Sequence, residues 1–136
     1  MSTLIRPEVS EKNKYWISRH RYYELKHFCL QYTEWQEECN RIDDYILRSY
    51  VPHSFDHSLG DPTAYFAIRR AALTKNMQLV KEIAMKSDPQ LWSYIFEAVT
   101  KEYSFVYLRY TLDMPAEKKM YYDRYRKFFW LLSKSH

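Results

Sequence analysis

DPTAYFAIRRAALTKNMQLVKEIAMKSDPQLWSYIFEAV, residues 61–99, is the stretch that decides the fold. It opens on Asp61-Pro62. Aspartate accepts from the free amides of a first helical turn, and proline at the first helical position loses no hydrogen bond. The spacing predicts a helix to about Lys86, with Ala64, Ile68, Ala71, Ala72, Leu79, Val80 and Ile83 turned inward. Asp88-Pro89 repeats the signal and opens a short helix carrying Trp92, Ile95, Phe96 and Val99.

Toward the N-terminus, residues 49–61 form the longest break. Before it, Thr33 offers an N-cap and Gln36 completes a capping-box spacing. That helix carries Trp35, Cys39, Ile42 and Ile46 along one stripe. A helix from about Lys14 to Tyr32 precedes it, with Tyr22, Leu25, Phe28, Cys29 and Tyr32 at helical spacing. Residues 1–12, with Pro7, read as a loose arm. Toward the C-terminus, Ser104 caps a helix of about nine residues through Leu108 and Leu112. Pro115 ends it, and a final helix runs from Ala116 to about Ser133. The expected fold is all-α: a single compact bundle of about six helices ending in a helix-turn-helix. Within one domain of 136 residues, 14–86 is scaffold and 89–134 holds the helix-turn-helix.

Composition excludes several functions. The single glycine, Gly60, rules out dinucleotide fingerprints, phosphate-cradling loops, nucleophile elbows and EF-hand loops, each of which needs glycine at a fixed place. No apolar run is long enough to span a membrane, and the N-terminus has no secretory pattern, so a cytoplasmic protein is expected. Cys29 and Cys39 read as small core hydrophobes. His53-Ser-Phe-Asp56-His57 has metal-like donors, yet its polar neighbours and Pro52 predict a solvated loop. Asp43-Asp44, Glu37-Glu38 and Asp56-His57 form no recognisable catalytic arrangement, since adjacent carboxylates on a helix point different ways. No enzyme activity and no cofactor are implied.

Charge is segregated. The net charge is +4, and residues 1–100 hold 13 basic and 13 acidic side chains. The whole excess therefore lies in residues 101–136. On the last helix, Tyr121, Tyr122, Tyr125, Phe128, Phe129 and Leu132 fall on one side, while Lys119, Arg124, Arg126 and Lys127 fall around the other. A rigid basic helix attracts phosphates and releases their counterions. Residues 104–127 also fit a helix-turn-helix with a three-residue turn at Asp113-Met114-Pro115. Met114 plugs the corner, and Asp113 stands where glycine is usual; aspartate tolerates a left-handed backbone better than most residues. In that reading Lys118, Lys119 and Tyr122 reach bases, Arg126 and Lys127 reach phosphates, and Arg109 touches the DNA backbone.

Ser104-Phe105…Tyr107-Leu108…Leu112-Asp113-Met114-Pro115…Tyr121-Tyr122-Asp123-Arg124-Tyr125-Arg126-Lys127-Phe128-Phe129-Trp130-Leu131-Leu132 resembles small phage proteins of the ArpU-like type. The C-terminal part of that family looks like the helix-turn-helix of sigma factor region 4. Tyr23-Glu24-Leu25-Lys26…Phe28-Cys29-Leu30-Gln31-Tyr32…Trp35 and Asp61-Pro62-Thr63 resemble the family's N-terminal half. The resemblance implies a phage or prophage regulator that binds double-stranded DNA in a bacterial host cell. RNA polymerase or another host protein could be a further partner, and a homodimer is compatible with paired half-sites. A second expectation stands beside it. The 14 tyrosines suit a phage-encoded protein-interaction module that inhibits host machinery, such as an anti-CRISPR protein.

Overall fold

Three of the helix starts among the described residues are set by short oxygen-bearing side chains, those of Ser18, Asp88 and Ser104. In a computed structural model that describes residues 12–48 and 62–136, Ser18 Oγ accepts from the amide of Arg21 and opens α1 (Arg19–Leu30). The predicted start near Lys14 is therefore too early. Asn13 Oδ1 takes the amide of Tyr15 at 2.8 Å, and that local bond holds residues 13–15 in a turn. α2 (Tyr32–Arg48) follows after Gln31 alone. The amide of Trp35 already bonds to the Gln31 carbonyl at 2.9 Å. Thr33 thus lies inside the first turn and is not the cap the sequence suggested.

α3 (Pro62–Ser87) keeps the expected bounds, with Asp61 itself outside the described residues. Asp88 Oδ1 accepts from the amides of both Gln90 and Leu91 at 2.7 Å, which turns the chain into α4 (Trp92–Lys101). Ser104 Oγ accepts from the amide of Tyr107 at 3.1 Å and starts α5 (Phe105–Tyr110). α5 has six residues where about nine were expected. The amides of Thr111 and Leu112 share the Tyr107 carbonyl, so the helix winds down before Leu112. α6 (Lys118–Ser135) closes the chain. The described residues are all-α, with no strand among them.

α6 packs against α1, α3 and α4, and from Tyr121 to Ser133 it has no fully exposed residue. Its Tyr121, Phe128, Phe129 and Leu132 join Tyr22, Leu25 and Cys29 of α1, Leu73, Val80 and Ile83 of α3, and Ile95 of α4 in one core. Leu108 and Met114, both fully buried, anchor α5 and the turn to it. α2 packs mainly along α3. Arg69 meets Glu38 at 2.8 Å and Arg70 meets Asp43 at 2.6 Å across that seam.

One inward face is corrected. Ala64, Ile68, Ala71 and Ala72 are exposed, with Ile68 at 72%, and the first buried residue of α3 is Leu73. The first half of α3 lays Phe66, Arg69 and Arg70 on α2, which turns the Ile68 stripe away from the body of the bundle.

Candidate nucleic-acid interface

The candidate interface is built on α5, the turn and α6. The chain does close on two helices and a turn, but the connection from Thr111 to Glu117 is seven residues long, not three. Asp113 takes the left-handed conformation at φ 58°, as a glycine would. The Met114 amide then bonds to the Leu108 carbonyl at 2.9 Å, folding the turn back on α5. Phe105 sets its ring 5.7 Å from Tyr121 and 5.9 Å from Tyr122, which ties the start of α5 to the start of α6.

Arg109 is engaged in this corner. It donates to the Met114 carbonyl at 3.0 Å and to Glu117 at 3.2 Å. Its first task is to brace the turn, and the DNA-backbone contact expected of it competes with those bonds. Tyr122 is half-buried between Phe105 and Tyr121, with the Lys118 ammonium 5.9 Å from its ring. Lys118 and Lys119 are exposed on the first turn of α6. Arg126 and Lys127 are half-buried about two turns further on.

Arg124 departs from the expected free basic face. It donates to Asp88 at 2.9 Å and also to Asp123. Burial of Asp88 opposes its ionisation, but the amides of Leu91 and Gln90 and the Arg124 guanidinium outweigh that and hold its carboxyl below the usual range. Arg124 is therefore a structural clasp between α6 and the start of α4.

The remaining cations behave differently. Among the described residues, no carboxylate lies within ion-pair distance of Lys118, Lys119, Arg126, Lys127 or Lys134. Arg126 Nε is enclosed and meets no hydrogen-bond partner. At about 100° per residue, Lys119, Arg126, Lys127, Trp130 and Lys134 share the outward stripe of α6. Trp130 is sandwiched there, with Tyr15 at 5.5 Å and the Lys134 ammonium at 4.4 Å.

The other side of α6 is closed. The hydroxyls of Tyr22 and Tyr125 share a hydrogen bond of 3.0 Å, and burial pushes the Tyr125 phenol well up. Burial likewise raises the Cys29 thiol, so it is not a reactive thiolate. The carboxylates of α2 that stand as pairs in the sequence are divided: Glu38 and Asp43 face α3 arginines. No group of three or more metal-binding side chains occurs among the described residues, and His53, Asp56 and His57 lie outside them.

Sequence reasoning missed the outer face of α5. Val106, Tyr107 and Tyr110 are exposed there, Tyr110 at 75%. The signal was present: with Leu108 inward, residues two positions to either side point about 200° away. Compared with known proteins, the chain matches no family model, no curated protein and no solved structure.

Proposed function

We propose that this chain is a DNA-binding regulator of transcription that grips duplex DNA through its α5–α6 unit. The observation that carries the reading is the set of α6 cations with no carboxylate partner among the described residues. Lys118 and Lys119 add their charge to the positive end of the α6 dipole. Because Tyr121 to Ser133 is at least half-buried, α6 cannot lie lengthwise in a groove. It approaches end-on, with its first turn toward the bases and with Arg126 and Lys127 toward phosphates. Control of transcription is what the ArpU-like resemblance adds.

The test is a gel-shift titration of Lys118→Ala/Lys119→Ala at several salt concentrations. Weaker binding is expected, with the salt slope reduced by about 0.9 for each phosphate no longer neutralised. Binding of unchanged strength and slope overturns the reading. The second reading, a module that docks on a host protein and obstructs it, is favoured by one feature. Leu47, Tyr65 and Ile68 are exposed by 65–77% on α2 and the first half of α3. Retention of one specific partner on the immobilised chain after nuclease treatment, abolished in Ile68→Glu, supports that reading.

A further inference from the structure

We propose that the segment before α1 builds, with the C-terminal half of α6, a second phosphate-binding surface that holds the backbone of duplex DNA beyond the part met by the first turn of α6. The inference rests on the nucleic-acid reading above and extends the path of that ligand over the molecule. Tyr15 sets its ring 5.5 Å from Trp130 of α6. The Lys14 ammonium stands 5.0 Å from the Tyr15 ring and the Lys134 ammonium 4.4 Å from the Trp130 ring, so each ring of the pair holds a cation. Both lysines are exposed. Buried Ile17, and Arg21 donating to the Ser133 carbonyl at 3.2 Å, fix this segment and the start of α1 to the bundle.

The fold gathers charge that the sequence scatters. Residues 12–26 hold five basic side chains and one carboxylate, and α6 holds six and one. Both carboxylates, Glu24 and Asp123, are taken by arginines. Among the described residues, Lys14, Arg19, Lys119, Arg126, Lys127 and Lys134 meet no carboxylate. α2 and α3 together hold seven basic and six acidic side chains, and residues 97–117 hold two and four. The positive excess of the described residues therefore sits on two segments that pack against each other, and a polyanion is drawn there. Apolar content separates the candidates. Of the large apolar side chains exposed among the described residues, residues 12–26 and α6 carry only Met120. A lipid surface takes up apolar side chains as well as cations, and a protein partner docks on aromatic or apolar anchors. A nucleic-acid backbone needs cations alone. Tyr15 and Trp130 are half-buried against each other, so they hold the lysines and are not open to unpaired bases. Lys119 and Lys134 are about 22 Å apart along α6, the rise of about six base pairs. Duplex that leaves the first turn of α6 along this side meets Lys14 and Lys134 within one helical turn, on the outside of its backbone.

The experiment uses the full chain with a fluorescently labelled, blunt, mixed-sequence duplex, read by anisotropy across a series of salt concentrations. Lys14→Ala/Lys134→Ala is expected to bind less tightly, with the slope of log K against log salt shallower by about 0.9 for each of the two phosphates released. Lys14→Arg/Lys134→Arg, which keeps both charges, is expected to retain the slope of the unmodified chain. An unchanged slope in the alanine variant, or an equal loss in the arginine variant, overturns the inference. If Lys118→Ala/Lys119→Ala binds less tightly while Lys14→Ala/Lys134→Ala does not, this inference falls and the reading of the first turn survives. If Lys14→Ala/Lys134→Ala alone weakens binding, the second surface stands and the end-on reading falls. If the unmodified chain does not bind the duplex, both fall. Vesicles of phosphatidylcholine and phosphatidylserine are the control: binding to them that Lys14→Ala/Lys134→Ala abolishes, with its DNA slope unchanged, assigns the cations to a membrane and overturns the inference.

Discussion

At Asp113 a side chain with a Cβ holds φ 58°, in the region that glycine occupies without cost. Aspartate is among the better-tolerated residues there, and its side chain is exposed. Asp113→Gly should therefore raise stability by about 0.5–1 kcal/mol, read as a higher thermal midpoint. Glu102 is also left-handed, at φ 62°, but its carboxylate meets Lys26 at 3.1 Å, so the same change there removes an ion pair as it relieves the backbone. Asp113 was readable from the sequence because a turn was expected and aspartate suits it. Glu102 was not, since glutamate carries no turn signal and α4 ends there without glycine or proline. Asp88 makes the opposite point. Its cap was readable from Asp88-Pro89, but its partner Arg124 lies 36 positions away and no local pattern joins them. Asp88→Ala should cost about 2 kcal/mol, through loss of the cap and of the buried acceptor for Arg124. Asp88→Asn keeps a capping oxygen and should cost less. The folded carboxyl titrates below its unfolded value, so its contribution is complete above about pH 4 and is lost as the pH falls through the lowered folded value. The acid limb of a stability-against-pH curve should flatten in Asp88→Asn; an unchanged limb would remove Asp88 from the account.

At the scale of elements, α5 is too short to persist alone, since isolated helices below about 12–15 residues are marginal in water. Ser104, Phe105 and Leu108 hold it, and Leu108 is its one buried residue. Leu108→Ala should destabilise the protein by about 3 kcal/mol and loosen the turn that positions the first residues of α6. Amide exchange in residues 104–117 should accelerate more than exchange in α3. Equal protection throughout would show that the turn does not depend on Leu108. Periodicity told which residues of α3 share a stripe, yet it named the wrong stripe for the first half. Ala64, Ile68, Ala71 and Ala72 are apolar at core spacing, but this half of α3 lies on α2 through Phe66 against Tyr45, with Arg69 and Arg70 reaching Glu38 and Asp43 on the same side. Two cross-helix ion pairs are long-range facts, and hydropathy alone does not contain them. The aromatic face of α6 was legible for the converse reason: six apolar or aromatic side chains on one arc leave a single way to bury the helix.

Over the whole molecule, the excess charge of the last quarter lies on the helix that the other elements enclose. That combination is unfavourable unless the charge is used. Arg124 is used internally, clasped by Asp88 and Asp123. Arg126 is not: its Nε is enclosed with no acceptor, a condition that costs about 1–3 kcal/mol in a folded chain. Methionine follows the same path as the arginine stem and has no donor to satisfy at the enclosed Nε position. Arg126→Met should therefore leave the thermal midpoint unchanged or raise it by a few degrees. If the guanidinium is held for a phosphate, the same variant should bind DNA less tightly and with a shallower salt dependence. A gain in stability paired with a loss of binding would mark Arg126 as a residue retained for its ligand. A fall in stability would instead mean that the guanidinium stem and its remaining nitrogens support the bundle, and the basic stripe of α6 would then rest on Lys119, Lys127 and Lys134.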